Sequence, residues 1–163
     1  MAEEIQRPSA YLETTIPSYL AAEPSRDLVI AAHQQITHQW WNHRARQYEL
    51  FVSDFVRAEV MAGDPQLAAR RLDLIARVPT LAENPEVRNL AKVYEQRLGL
   101  TGKGLADIAH LAFAVEYEVD YLLTWNCAHI ANGEVIRKLL EVNGELRRET
   151  PVILTPEALL ESL

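Results

Sequence analysis

The hydrophobic positions of this chain change period several times, and each change predicts an element. AYLE is a short run of β type, and the nearby Pro17 keeps it short, so a first strand should end at Glu13. From Ser25, a good N-cap residue with Asp27 in the first turn, Leu28, Val29, Ala32, Ile36 and Trp40 keep helical spacing and carry one long helix into WWNHRARQ. ELFVS, from Glu49 to Ser53, is a compact apolar strand. DFVRAEVMAG after it reads as a short helix stopped by Gly63 and Pro65. Leu67 to Val78 gives another helix, VPTLAE an edge strand, and PEVRNLAKVYEQRLGL a helix with Pro85 at its start and Gly99 near its end. TGKG then breaks the chain.

In LADIAHLAFAVEYEV, Leu105, Ile108, Ala109, Ala112 and Val115 keep the spacing of a buried helix. DYLLT is the clearest strand, GEVIRKLLEVNGEL an amphipathic helix and PVILT a last strand. PEALLESL opens with proline in a first helical turn. Strands alternating with helices throughout predict an α/β fold, a parallel sheet covered on both faces and linked by right-handed crossovers. No internal repeat or low-complexity tract interrupts it.

At 163 residues and 48% hydrophobic, the chain is long enough for a proper core and too short to expect two, so residues 1–163 are expected to form a single domain. A formal net charge of -7 at pH 7 argues against gripping nucleic acid by bulk charge. It does not exclude a nuclease, because metal ions can neutralise an acidic pocket that faces phosphates. The lone Cys127 has no internal disulfide partner, and MAEEIQRPSAYL lacks the basic start and apolar run of a secretory signal. No stretch approaches the ~20 apolar residues of a spanning helix, so no membrane association is expected and the cytoplasm is the expected location.

Acidic residues recur where predicted strands give way to helices. Glu13 closes the first strand, Glu59 follows FVSDFVRAEV, Asp107 opens GLADIAHLAFA, and the polar Asn126 closes VDYLLTWN. In an open parallel sheet the carboxyl ends of the strands line one crevice, so these segments would aim three carboxylates and an amide at one place. Each alone has an ordinary explanation: Glu13 a strand-end residue facing solvent, Glu59 a residue of a solvated helix face, Asp107 a partner of the helix dipole, Asn126 a turn residue. Their convergence is what points to a site. Asp120 is excluded, because it starts its strand and belongs to the opposite rim. Oxygen ligands without a Cys or His cluster select a hard ion such as Mg²⁺ or Mn²⁺, and the chemistry that fits is phosphodiester hydrolysis. Thr14 and Thr15 carry hydroxyls able to orient the Glu13 carboxylate.

YLETT, VSDFVRAEV, ADIAHLAFA and LLTWN, in that order and followed by PVILTPEALL, resemble the PIN-domain ribonucleases, especially the VapC-like toxins of type II toxin-antitoxin pairs. The resemblance covers almost the whole chain. It implies a three-layer α/β/α domain, Mg²⁺- or Mn²⁺-dependent endoribonuclease cleavage of RNA, a cognate antitoxin as protein partner, and a homodimer. Glu13 matches the first acidic position, Glu59 the second and Asp107 the third, and Asn126 falls where a fourth acid or Asn stands. Thr14 or Thr15, Ser53 and Thr124 match small hydroxyl positions bordering the pocket. Two departures accompany it: the usual first acid is Asp, one methylene shorter than Glu13, and Asn126 supplies no charge. They give the alternative reading, a PIN-like module that binds RNA or protein with little catalysis. An acidic phosphohydrolase with an Asp nucleophile is disfavoured, since no Asp follows the first strand.

Other features carry less. His33, His38 and His43 step by five residues, about 500° on a helix, and share no face. His110, three residues after Asp107, can reach the site, but a packed or capping role is the expectation. Lys103 in TGKG can meet a phosphate, although an exposed loop lysine is the plainer reading. Trp40 and Trp41 are expected to serve packing or a protein interface more than base stacking. The helical stretch from Ser25 to Tyr48 is generous for a minimal PIN toxin and is expected to carry that interface.

Overall fold

The computed structural model describes residues 6–161. Five parallel strands, β1 (Ser9–Leu12), β2 (Glu49–Ser53), β3 (Thr80–Leu81), β4 (Tyr121–Leu123) and β5 (Val152–Leu154), form one sheet in the order β3-β2-β1-β4-β5. The chain starts in the middle, steps outward to β2 and β3, then returns past β1 to lay down β4 and β5. The order therefore reverses between β1 and β4, the switch point beyond whose carboxyl ends open parallel sheets place their ligands. Seven α-helices, α1 (Thr15–Ala21), α2 (Leu28–His43), α3 (Asp54–Val60), α4 (Pro65–Leu74), α5 (Pro85–Arg97), α6 (Gly104–Glu116) and α7 (Gly133–Leu146), complete a three-layer α/β/α arrangement.

Local chemistry sets the helix limits. Asp27 accepts from the backbone N–H of Val29 and Ile30, Ser53 from Val56, Asp64 from Leu67, Asn84 from Val87, and Asn132 from Glu134 and Val135. Pro65 and Pro85 occupy first-turn positions that need no N–H. Two predicted limits are corrected and one helix is added. Asp27, not Ser25, caps α2, while the Ser25 hydroxyl accepts from the Asp27 N–H. The helix expected over Leu67 to Val78 spans Pro65–Leu74, and the carbonyls of Ile75 and Val78 are taken by the Arg57 guanidinium instead. Helix α1 was not anticipated, because Pro17 reads as a breaker; it lies in the first turn, where proline is tolerated.

The core is one cluster that includes Tyr11, Leu12, Ile16, Trp40, Val52, Ile108, Leu111 and Leu122. Helix α6 is its central helix, buried from Leu111 to Val115. Across the bundle, Tyr94 of α5 donates its hydroxyl to Asn143 Oδ1 of α7 at 2.6 Å, and the Asn143 amide donates to Thr150 Oγ1 at 2.8 Å. Both Tyr94 and Asn143 are fully buried. Tyr94→Phe should therefore destabilise the fold by about 1–3 kcal/mol in denaturant unfolding, because the Asn143 side-chain carbonyl loses its only hydrogen-bond donor among the described residues.

Candidate active site

The crevice between β1 and β4 is lined by the residues that follow those strands. Glu13 is 4% exposed, one residue beyond β1, and its backbone N–H donates to the Leu123 carbonyl at 3.0 Å, tying it to the end of β4. Its Oε2 accepts from the Thr15 N–H at 3.1 Å, the Thr15 hydroxyl at 2.5 Å and the Thr124 hydroxyl at 2.8 Å. Its Oε1 accepts no hydrogen bond among the described residues and lies 3.9 Å from His110 Nε2. Glu59, from the last turn of α3, has Oε1 fixed by the Thr14 hydroxyl at 2.5 Å and by His110 Nε2 at 2.8 Å, while its Oε2 is likewise without a donor. Each carboxylate thus has one oxygen held and one left for a further partner.

His110 stands fully buried on α6 at the centre of this arrangement. Its Nδ1 lies 2.8 Å from the Tyr11 hydroxyl, and that hydroxyl lies 2.8 Å from Ser53 Oγ. Burial by itself would raise the Glu59 pKa, but the hydrogen bond and charge of His110 and the hydrogen bond from Thr14 outweigh it and hold the carboxyl below its ordinary 4.5. An ionised Glu59 at 2.8 Å requires a proton on His110 Nε2. Nδ1 shares the next hydrogen bond of the chain with the Tyr11 hydroxyl, and Tyr11 shares the one after it with Ser53. Nε2 is consequently a donor, not a lone pair offered to a cation, although the ligand atoms of Glu13, Glu59 and His110 all lie within 4.8 Å of one another.

The lowered Glu59 pKa has a sign that unfolding can check. A carboxyl depressed in the folded state stabilises the fold above its unfolded pKa, and that contribution is lost as pH falls through the folded value. The stability gap between the native protein and Glu59→Gln should therefore narrow in thermal unfolding as pH falls from above the ordinary carboxyl value of 4.5 through the lower folded value.

Asp107 sits one turn before His110 on the same face of α6, outside the close group, and its Oδ2 accepts from His129 Nδ1 at 2.7 Å. Gly104 makes room for that imidazole, since a Cβ there would come within 3.3 Å of the His129 ring. Asn126 spends its side-chain oxygen on the His129 N–H at 3.0 Å and so builds the turn that carries His129. Thr14, Thr15 and Thr124 contact the carboxylates directly. Ser53 acts one step back, through Tyr11 and as the cap of α3. Lys103 is exposed at the start of α6 and makes no hydrogen bond to the acids. Asp120 turns to the other rim, accepting from the Ser9 N–H and hydroxyl.

Sequence reasoning undervalued two histidines. The expectation for His110 was a packed or capping role; it is packed, and it is also the donor that orients Glu59. His129 was not singled out at all, and its position three residues beyond Asn126 was the one available signal. Trp125 was passed over as well. It lies under His33 with ring centroids 4.0 Å apart, its indole N–H donates to the Thr37 hydroxyl at 2.7 Å, and its backbone N–H donates to Thr15 Oγ1.

The strand order and the three layers are those of a VapC-like PIN-domain fold. Two solved structures share it. VapC20 of Mycobacterium tuberculosis, a sarcin-ricin loop cleaving toxin, matches at 13% identity with a TM-score of 0.59, over 77% of this chain and 95% of that one. VapBC2 of Rickettsia felis, solved bound to a DNA fragment from their promoter, matches at 13% identity with a TM-score of 0.56, over 88% of this chain and 96% of that one. No family model and no curated protein matches the sequence. Among the described residues no helix is long and apolar enough to cross a membrane.

Proposed function

We propose that this protein is a Mg²⁺- or Mn²⁺-dependent endoribonuclease and the toxin of a type II toxin-antitoxin pair, acting in the cytoplasm as one PIN-like domain. The observation that carries the reading is the pair Glu13 and Glu59 at the switch point, each with one oxygen fixed by hydroxyl or imidazole donors and the other without a donor. That donor set fits a hard cation: two carboxylate oxygens, with Asp107 one helical turn from His110 and no thiolate among them. A bound ion would supply an activated water near neutral pH and stabilise charge on the departing oxygen. The chain's own residues do the rest. Glu13, Glu59 and Asp107 would hold the ion, the threonine hydroxyls and His110 fix the direction of Glu13 and Glu59, and Asn126 fixes the turn that lays His129 on Asp107.

The neighbours' names support the partner side of the reading. VapC20 is a sarcin-ricin loop cleaving toxin, and VapBC2 was solved bound to a DNA fragment from their promoter. The first turn of α2 supplies an apolar surface suited to an antitoxin or a second copy: Leu28 is 86% exposed and Val29 63%. One observation favours the alternative of a binding module with little catalysis: Asp107 is engaged by His129 and stands outside the close group.

Cleavage decides between them. The purified protein should cut structured RNA with Mg²⁺ or Mn²⁺ and stop with EDTA, and Asp107→Asn should slow it. RNA binding without metal-dependent cleavage leaves the binding module. Undiminished cleavage after thorough chelation ends the metal mechanism. Co-expression with the neighbouring reading frames, followed by light scattering, tests the antitoxin and the dimer together.

A further inference from the structure

An acidic chain that handles RNA has to find its phosphate contacts in a local surplus of cations, because a net charge of -7 and an acidic crevice both repel the backbone. Most arginines here are already engaged. Arg70 pairs with Glu23, Arg88 with Glu83, Arg97 with Glu145 and Arg148 with Glu116, while Arg57 and Arg71 donate to backbone carbonyls. Arg7 also donates to a backbone carbonyl, that of Arg46, but Arg7, Arg46 and Arg77 share one location. All three are exposed, none forms an ion pair with a described carboxylate, and they gather around one place.

That place is a pair of adjoining cavities of about 510 and 660 Å³ that share Arg7, Trp41, Tyr48, Leu50 and Arg77. Arg46 lines the second, and its carbonyl accepts from Arg7 Nη1 at 3.1 Å, which fixes two of the cationic residues to each other. Glu49 is the one carboxylate lining either cavity. Trp41 and Tyr48 are half-buried, unlike the fully buried Trp40, and both belong to the lining of the two cavities, with the Tyr48 ring also packed against Trp40 and Tyr121. By position the cleft lies on the amino-terminal rim of the sheet, since Arg7 precedes β1, Glu49 opens β2 and Arg77 precedes β3. The acids lie on the carboxyl-terminal rim, a strand length of roughly 17 Å away at ~3.4 Å per residue.

We propose that this arginine and aromatic cleft is a second binding site for RNA, taking backbone phosphates on the three guanidinium groups and an unpaired base against Trp41 and Tyr48. The inference rests on the reading of the protein as one that acts on RNA. Guanidinium forks match phosphate oxygens bidentately, and aromatic faces accept any unstacked base. Cations spread over two joined cavities suit a run of phosphates better than a single one. RNA held here would be anchored on the far rim while another part of the same molecule reaches the acids.

The test uses the full chain and a fluorescein-labelled single-stranded RNA of mixed sequence, in EDTA so that nothing is cut. Arg46→Ala combined with Arg77→Ala should weaken binding at least tenfold and lower the slope of log affinity against log salt by about 1.4, at about 0.7 per lost phosphate contact. Trp41→Leu should weaken binding roughly tenfold with the slope unchanged, and the RNA-induced quenching of tryptophan fluorescence should vanish in Trp41→Phe. With metal present, the double arginine variant should cut a long RNA with raised KM and a kcat within about twofold of native. Unchanged affinity, slope and quenching in these variants would overturn the site. So would competition by polyglutamate as effective as by unlabelled RNA, combined with indifference to Trp41, since the cleft would then read charge on an acidic protein partner. RNA bound through the cleft but never cleaved would end the nuclease reading and leave this site standing; cleavage with the cleft variants binding as native would do the reverse.

Discussion

Glu13→Gln should lower Mn²⁺ affinity and cut RNA cleavage by on the order of a hundredfold or more, above the 10–100-fold typical of losing a residue that only supports a ligand. The reason lies in how Glu13 is held. Three donors converge on Oε2, so a Gln at this position keeps its carbonyl there and turns its NH₂ toward Glu59 and His110. A hydrogen-bond donor then stands where the free carboxylate oxygen was, and the negative charge is gone. Glu13→Asp keeps the charge but is shorter by a methylene, so it cannot both retain the three hydrogen bonds and present its second oxygen at the same point. Its defect should be weak occupancy, and raised Mg²⁺ or Mn²⁺ should partly restore cleavage in the Asp variant but much less in the Gln variant. Metal titration followed by Mn²⁺ spectroscopy, beside cleavage rates for all three proteins, separates the outcomes. If Glu13→Asp binds metal more tightly than the native chain, the crevice is a decayed site and the binding-module reading replaces the nuclease. Equal behaviour of all three would remove Glu13 from the mechanism.

Much of this site was legible because it depends on where strands end. AYLE, ELFVS and DYLLT carry apolar runs whose limits fall within a residue of the observed strands, and a parallel sheet sends all carboxyl ends to one rim. Glu13 and the Thr124–Asn126 segment therefore come together on topology alone. The amphipathic helix α7 was legible for the same kind of reason, with its 3.6 period running undisturbed from Gly133 to Leu146. Failures cluster where tertiary contacts override local pattern. Pro17 looks like a stop signal until the first-turn geometry of α1 is known, and the end of α4 depends on a guanidinium from α3 that no window of sequence around Leu74 contains. His110 was undervalued because its partners, Tyr11 and Glu59, are 99 and 51 residues away. A histidine on an apolar helix is ordinary until those contacts exist. The arginine cleft was invisible for the same cause: Arg7, Arg46 and Arg77 are single cations in three segments, and the sheet brings them together.

His110→Leu should reduce Mn²⁺ affinity about 10–100-fold and destabilise the fold by roughly 1.5–3 kcal/mol, the range for a hydrogen bond to a charged group. The substitution conserves apolar volume but leaves Glu59 Oε1 with the Thr14 hydroxyl as its one remaining donor, so the carboxylate is free to swing from its direction toward Glu13. His110→Gln, which can place an amide N–H near the position of Nε2, should recover part of the affinity; recovery by a donor is what a positioning role predicts. A ligand role predicts something else. If His110 bound the ion through nitrogen, electron spin echo modulation of bound Mn²⁺ would show a directly coordinated nitrogen that disappears in His110→Leu, whereas the hydrogen-bond pattern found here predicts none in the native protein. Tyr11→Phe tests the next link. The phenol is hydrogen-bonded to Nδ1 and so helps to hold the imidazole in place; without it Nε2 is less firmly directed at Glu59, and metal affinity should fall in the same direction by a smaller factor. Because both changes act through one chain of contacts, the Tyr11→Phe effect should largely vanish in the His110→Leu background. Full additivity of the two in a double-mutant cycle, read on metal affinity, would show that Tyr11 and His110 act independently and that the buried chain from Ser53 to Glu59 is packing alone.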